Sequence, residues 1–148
     1  MRIALLILLA IFVAIQFVPV PRTNPPVTGE IAAPPEVKAV LRQSCYDCHS
    51  NETVYPWYSR IAPASWLLAR DVTEGRKELN FSEWQQMQQL RQNRRRKAIW
   101  REVKSGEMPP WFYLPLHPAA KLSDADKAVL KAWSDAGPAV PPRTRPRS

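Results

Sequence analysis

Hydrophobic positions along the chain fall into a series of helical stripes. After Met1-Arg2, an unbroken apolar run extends from Ile3 to Ile15 and resumes past Gln16 as Phe17-Val18-Pro19-Val20. As a helix, this run predicts a span of roughly 27 Å at 1.5 Å per residue, close to the thickness of a bilayer core. A second stripe, Val37, Val40 and Leu41, follows a helix-starting proline at Pro35. The third segment starts at Pro63, carries Trp66, Leu67, Ala69, Arg70 and Val72, and should stop near Leu79-Asn80. Ser82-Glu83-Trp84-Gln85 has the form of a capping box and predicts a fourth helix, with Trp84, Met87, Leu90, Ala98 and Val103 toward the core. Ser123 should cap the last helix, with Asp124 and Asp126 at its positive end, Ala125, Val129, Ala132 and Trp133 as its apolar stripe, and Gly137-Pro138 as its stop. No alternating strand pattern and no internal repeat is present, so the predicted fold class is all-α.

Composition divides the chain into four parts. Residues 1–20 form a transmembrane anchor or, on the rival reading, a cleaved signal segment. The anchor is preferred because the apolar run is long and no clear small-x-small cleavage site follows Val20. Residues 21–34 are proline-rich and predict an extended tether with a reach on the order of 40 Å at 3.1 Å per residue. Residues 35–137 then make one small helical domain, and residues 138–148 a disordered basic, proline-rich tail.

The candidate chemistry is concentrated in Cys45-Tyr46-Asp47-Cys48-His49. This run holds both cysteines of the chain and one of its two histidines. A Cys-x-x-Cys-His string is the signature of covalent c-type haem attachment. Each thiol adds to one haem vinyl group, two spacer residues hold the sulfurs at the vinyl separation, and His49 follows beneath the iron as proximal ligand. The competing readings are a redox dithiol, half of a zinc site and a structural disulfide. The dithiol lacks its βαβ context, zinc lacks further ligands beyond His117 and scattered carboxylates, and so short a disulfide loop stabilises little. Haem c attachment takes place on the outer side of the bacterial inner membrane. The motif therefore places the domain in the periplasm, anchored by the first segment or released after cleavage.

For the sixth iron position the candidates are Met108, in Met108-Pro109-Pro110, and His117, in Leu116-His117-Pro118; an open position is the third possibility. Met108 is the first choice, because a thioether raises the potential and suits an electron carrier. Met87 lies at core spacing and is read as packing. Tyr55-Pro56-Trp57-Tyr58 can present a backbone carbonyl to the His49 ring, and Tyr55, Trp57 and Tyr58 can wall the haem edge, with ordinary aromatic packing as the alternative. Arg60 and Arg70 are candidate partners for haem propionates, or else solvated surface arginines.

The formal net charge of +8 gathers on Arg91, Arg94, Arg95, Arg96, Lys97 and Arg101. A periplasmic location argues against nucleic acid and leaves an acidic redox protein, anionic lipid or plain solvation as readings of this patch.

The run from Cys45 to Thr53, with Tyr55-Pro56-Trp57-Tyr58, Glu74-Gly75-Arg76, Leu79-Asn80-Phe81-Ser82, Met108-Pro109-Pro110 and His117-Pro118, resembles the bacterial haem-binding domain family of small monohaem proteins. The resemblance covers about two-thirds of the chain and implies a single covalent haem, without naming a partner or a reaction. A looser likeness to class I cytochromes c rests on a helix ending at the attachment motif and a late Met-Pro loop before a final helix. The expectation is thus a small helical c-type cytochrome-like domain around one covalent haem c, preceded by a transmembrane helix and acting as an electron carrier. A peroxidase-type haem enzyme or a haem-based ligand sensor is the alternative.

Overall fold

The structure is a computed structural model and describes residues 1–136. All regular structure among these residues is helical: α1 (Arg2–Ile15), α2 (Pro35–Ser44), α3 (Tyr46–His49), α4 (Ala64–Glu78), α5 (Gln89–Ser105) and α6 (Asp124–Asp135), with 3-10 turns at Trp57–Arg60, Phe81–Gln86 and Pro118–Ala120. The expected stop at Gly137-Pro138 and the basic tail lie outside the described residues. The chain divides into two compact units, Met1–Glu30 with Tyr46–Glu83, and Ile31–Cys45 with the described residues from Trp84 on.

The first unit is built on α4. Its buried positions Ser65, Leu68, Ala69 and Val72 repeat at three and four residues, which turns one face inward. The helix ends where its sequence predicts, with Leu79 as an extended C-cap. Against α4 lie α3 and the turn Trp57–Arg60.

Two expectations for the N-terminus are corrected. Helix α1 stops at Ile15 after 14 residues, about 21 Å, where the amides of Gln16, Phe17 and Val18 tighten to bonds three residues back and the chain then runs into Pro19. No helix among the described residues is long and apolar enough to cross a membrane. The segment expected as a free tether is instead laid along the unit. Thr23 O accepts from Arg76 Nη1 at 2.8 Å, Pro26 O accepts from Asn51 Nδ2 at 2.9 Å, and the amides of Thr28 and Gly29 both donate to Ser82 O. Extended backbone has no partners of its own, and these bonds satisfy two of the segment's carbonyls and two of its amides.

The second unit packs α2, α5 and α6 together. Val37, Val40 and Leu41 of α2 are buried as their spacing predicts, and Trp84, Val103, Leu130 and Trp133 join them in the core. The fourth helix starts later than expected. Phe81–Gln86 is a 3-10 turn, and α5 begins at Gln89 with Gln88 as its cap. The Ser82 hydroxyl makes no capping box; it accepts the Asn51 amide at 2.9 Å. Leu90 is consequently exposed rather than core. On α6, Leu130 and Trp133 form the buried face, Val129 is half-buried, and Ala125 and Ala132 point outward.

The Ser123 capping box is present. Ser123 Oγ accepts from the Asp126 amide at 3.1 Å, and Asp126 Oδ2 accepts from the Ser123 amide at 2.9 Å. The Ser123 hydroxyl, which donates to Asp126 Oδ2 at 2.6 Å, and then the Ser123 amide hold the Asp126 carboxyl below the usual carboxylate range. Ser123→Ala should cost about 1 kcal/mol of stability in a denaturant titration. An unchanged midpoint would show the cap to be decorative.

Candidate functional site

Cys45 closes α2: its amide donates to Leu41 O at 2.8 Å, and its own dihedrals leave the helix. Tyr46, Asp47, Cys48 and His49 then form the single turn α3. The two intervening residues are more than spacers. Tyr46 is buried, its ring stacks on Phe81 at 5.2 Å, and its hydroxyl donates to Glu30. Asp47 Oδ1 accepts the Val54 amide, and its carbonyl accepts the Thr53 hydroxyl at 2.7 Å. Both residues therefore fix the turn that carries the thiol and the imidazole.

The His49 ring is held by backbone. Its Nδ1 lies 2.8 Å from Gly75 O and 3.1 Å from Leu79 O, at the C-terminal end of α4. Carbonyls only accept, so Nδ1 carries the proton and Nε2 keeps its lone pair. Burial holds His49 below its ordinary value, with the two carbonyl bonds and Glu78 opposing, so the ring is kept neutral. A neutral imidazole with Nδ1–H tied to backbone carbonyls is the arrangement that orients a metal-ligating histidine. The carbonyl expected from the Tyr55–Tyr58 loop is thus supplied by α4 instead. Phe81 meets the same ring edge-on at 6.4 Å.

Gly75 permits this approach. A Cβ at that position would lie 2.5 Å from Cys48 O and 3.1 Å from Cys48 C. Beside it, Arg76 spans the unit: it donates to Ser50 O, Thr23 O, Asn24 Oδ1 and Thr53 Oγ1, all between 2.8 and 2.9 Å. Asn80 Nδ2 bonds Asn51 Oδ1, which completes the frame behind His49.

Both cysteines are half-buried thiols rather than a disulfide. Burial pushes the Cys48 thiol up to about 12, with Asp47 and Asp71 adding to the effect and Arg76 opposing it. A reactive dithiol needs an electropositive setting that lowers the thiol, which is the opposite of this one. No group of three or more His, Cys, Asp or Glu able to hold a metal ion exists among the described residues, so the half-zinc reading gains no partners. Two half-buried thiols and a neutral imidazole with Nε2 available fit a haem.

The other candidates are placed as follows. Tyr58 stands near enough for Asp47 and Cys48 to act on its hydroxyl, which burial already pushes up. Trp57 contacts the Tyr58 ring edge-on at 5.8 Å and is 74% exposed, and the Tyr55 hydroxyl donates to Thr23 O. Arg60 and Arg70 are exposed. In the second unit, Met108 follows α5 on a loop whose amides at Glu107 and Met108 both donate to Glu102 O, and its side chain is 38% exposed. The His117 ring stacks on Tyr113 at 4.0 Å, nearly parallel. Arg96 departs from the basic patch: it is 7% exposed, lies over the Trp133 ring and donates to Asn93. The remaining arginines Arg91, Arg94, Arg95 and Arg101 line an open groove on α5 with Gln88, Leu90 and Ala98.

A family model described as a haem-binding domain matches residues 10–136. The chain belongs to the haem-binding domain family. The match takes in both units of this haem-binding domain, from the later turns of α1 to the end of α6. No curated protein and no solved structure matched the chain.

Proposed function

We propose that this haem-binding domain is a monohaem c-type cytochrome, exported across and retained at the bacterial inner membrane, that passes single electrons in the periplasm. The observation that carries the reading is the His49 tautomer within a Cys-x-x-Cys-His run: Nδ1–H spent on two carbonyls, Nε2 left to bind iron. Cys45 and Cys48 would hold the haem covalently, and His49 would be the proximal ligand. The bound group would supply reversible one-electron chemistry at iron. The chain's own part is to fix the imidazole, to set Phe81, backed by Tyr46, against its edge, and to keep the Cys48 thiol protonated.

Tyr58 would border the haem beside Cys48. For the sixth position Met108 is preferred over His117, because the Met108 thioether is exposed on its loop whereas the His117 ring is already engaged by Tyr113. The exposed arginines of α5 would steer an acidic redox partner, with contact rates that fall as salt rises.

The ferric optical spectrum tests the reading. A weak methionine-to-iron band at the red edge is expected in the wild-type protein. Met108→Ala should remove it, and His117→Ala should leave it. Loss of the band only in His117→Ala would overturn the axial assignment. A high-spin wild-type spectrum would favour a peroxidase-type enzyme or a ligand sensor.

A further inference from the structure

Beyond Arg2 at its start, helix α1 is apolar on every side. Ile3, Leu5, Leu6, Ile7, Leu8, Leu9, Ile11, Phe12 and Val13 are all exposed large hydrophobics, and no residue of the helix is buried. A protein groove covers one stripe of a helix. A helix with no polar face needs a surrounding that is apolar all round, which lipid hydrocarbon provides.

The end of this helix is clasped to the haem-ligating unit. Gln16 Oε1 accepts from the Ala62 amide at 2.9 Å, Gln16 Nε2 donates to Ala62 O at 3.3 Å, and the same Nε2 donates to Phe12 O at 2.9 Å. The side-chain amide therefore satisfies both backbone groups of Ala62, which is itself buried. Arg22 Nη1 adds a bond to Ser59 O at 2.9 Å. The family match begins at residue 10 and so takes in both Gln16 and Ala62.

Around this root stand the residues of a membrane interface. Trp57 and Ile61 are exposed on the turn leading into Ala62, Phe17 is exposed beside Gln16, and Arg22 and Arg60 supply positive charge. Exposed tryptophan and arginine at the end of an apolar helix match the headgroup layer of an anionic bilayer.

We propose that α1 and the turn at residues 57–62 form one lipid-docking surface, and that the Gln16–Ala62 clasp holds the His49-bearing unit against the membrane in a fixed pose. This rests on the membrane-retained reading above, but not on the identity of the sixth ligand.

The test uses the full haem-loaded chain on vesicles of phosphatidylethanolamine and phosphatidylglycerol, read by flotation and by hydroxyl-radical oxidation of Trp57. Wild type and Gln16→Ala should both float. Trp57 should be oxidised several-fold less in wild type than in Gln16→Ala. Equal oxidation in the two floating proteins would overturn the clasp while leaving membrane retention standing. Failure of the wild type to float would overturn lipid docking itself, and the ferric spectrum of the same sample would still report on the cytochrome reading. An unchanged ferric spectrum of Gln16→Ala verifies that the His49-bearing unit stays folded once its bonds to Ala62 are lost.

Discussion

Replacing Cys45 and Cys48 together by alanine will abolish haem staining of the chain on a denaturing gel. Denaturation breaks the coordination of His49 and every packing contact, so only thioether bonds can keep haem on an unfolded chain. The two cysteines are the chain's full complement, and no third thiol can substitute. Each single variant should retain staining at reduced intensity, since one thioether suffices to hold the group while the other orients it. The environment of Cys48 supports this role: a thiol raised to about 12 by burial and two acidic neighbours is protonated at working pH and resists oxidation to a disulfide. Staining that survives the double substitution would rule out covalent attachment. The chain would then be a haem-binding domain holding its cofactor by coordination alone.

Much of the helical frame was legible in the sequence, because stripes and caps are local properties. The buried triplet Val37, Val40 and Leu41, the end of α4 at Leu79 and the Ser123 cap all follow from spacing and side-chain chemistry within one turn. The failures occur where a distant partner competes for a group. Ser82 looks like a cap, yet its hydroxyl takes the amide of Asn51, far away in sequence, and the helix start moves to Gln89. Gln16 interrupts an apolar run that hydropathy alone extends to Val20, and its side chain finds both backbone groups of Ala62. The prolines of residues 21–34 suggested a free tether, but their neighbours' carbonyls are claimed by Arg76 and Asn51. Likewise the basic run says nothing of Trp133, which draws Arg96 out of solvent. At the candidate site, the proposed ligand residues stand in the motif itself, whereas the groups that hold the His49 ring are backbone carbonyls and carry no side-chain signature. One signal was available. Gly75 sits inside a helix where alanine would be better by about 1 kcal/mol, and such a glycine calls for a packing reason.

That reason makes Gly75→Ala the most informative single substitution. Helix propensity alone predicts stabilisation of about 1 kcal/mol. The added methyl, however, would stand 2.5 Å from Cys48 O and 3.3 Å from Cys48 Cβ. The nearest obstacle is backbone rather than the end of a flexible side chain, so α3 and α4 must part. Overpacking of this kind costs roughly 1–3 kcal/mol, which outweighs the propensity gain and sets the sign. The displacement also bears on the proposed function: moving α3 away lengthens the 2.8 Å bond from His49 Nδ1 to the Gly75 carbonyl and releases the ring whose Nε2 is the proposed iron ligand. A net loss of up to about 2 kcal/mol predicts a fall in Tm of a few degrees, up to roughly 8 °C, together with a loss of the axial-ligand band and a larger high-spin fraction in the ferric spectrum. Lys77→Ala on the exposed face of the same helix, where only a surface ion pair with Glu74 is lost, should change neither. If Gly75→Ala raises Tm and preserves the spectrum, then α4 does not approach Cys48 this closely, and the carbonyl support of His49 must come from elsewhere.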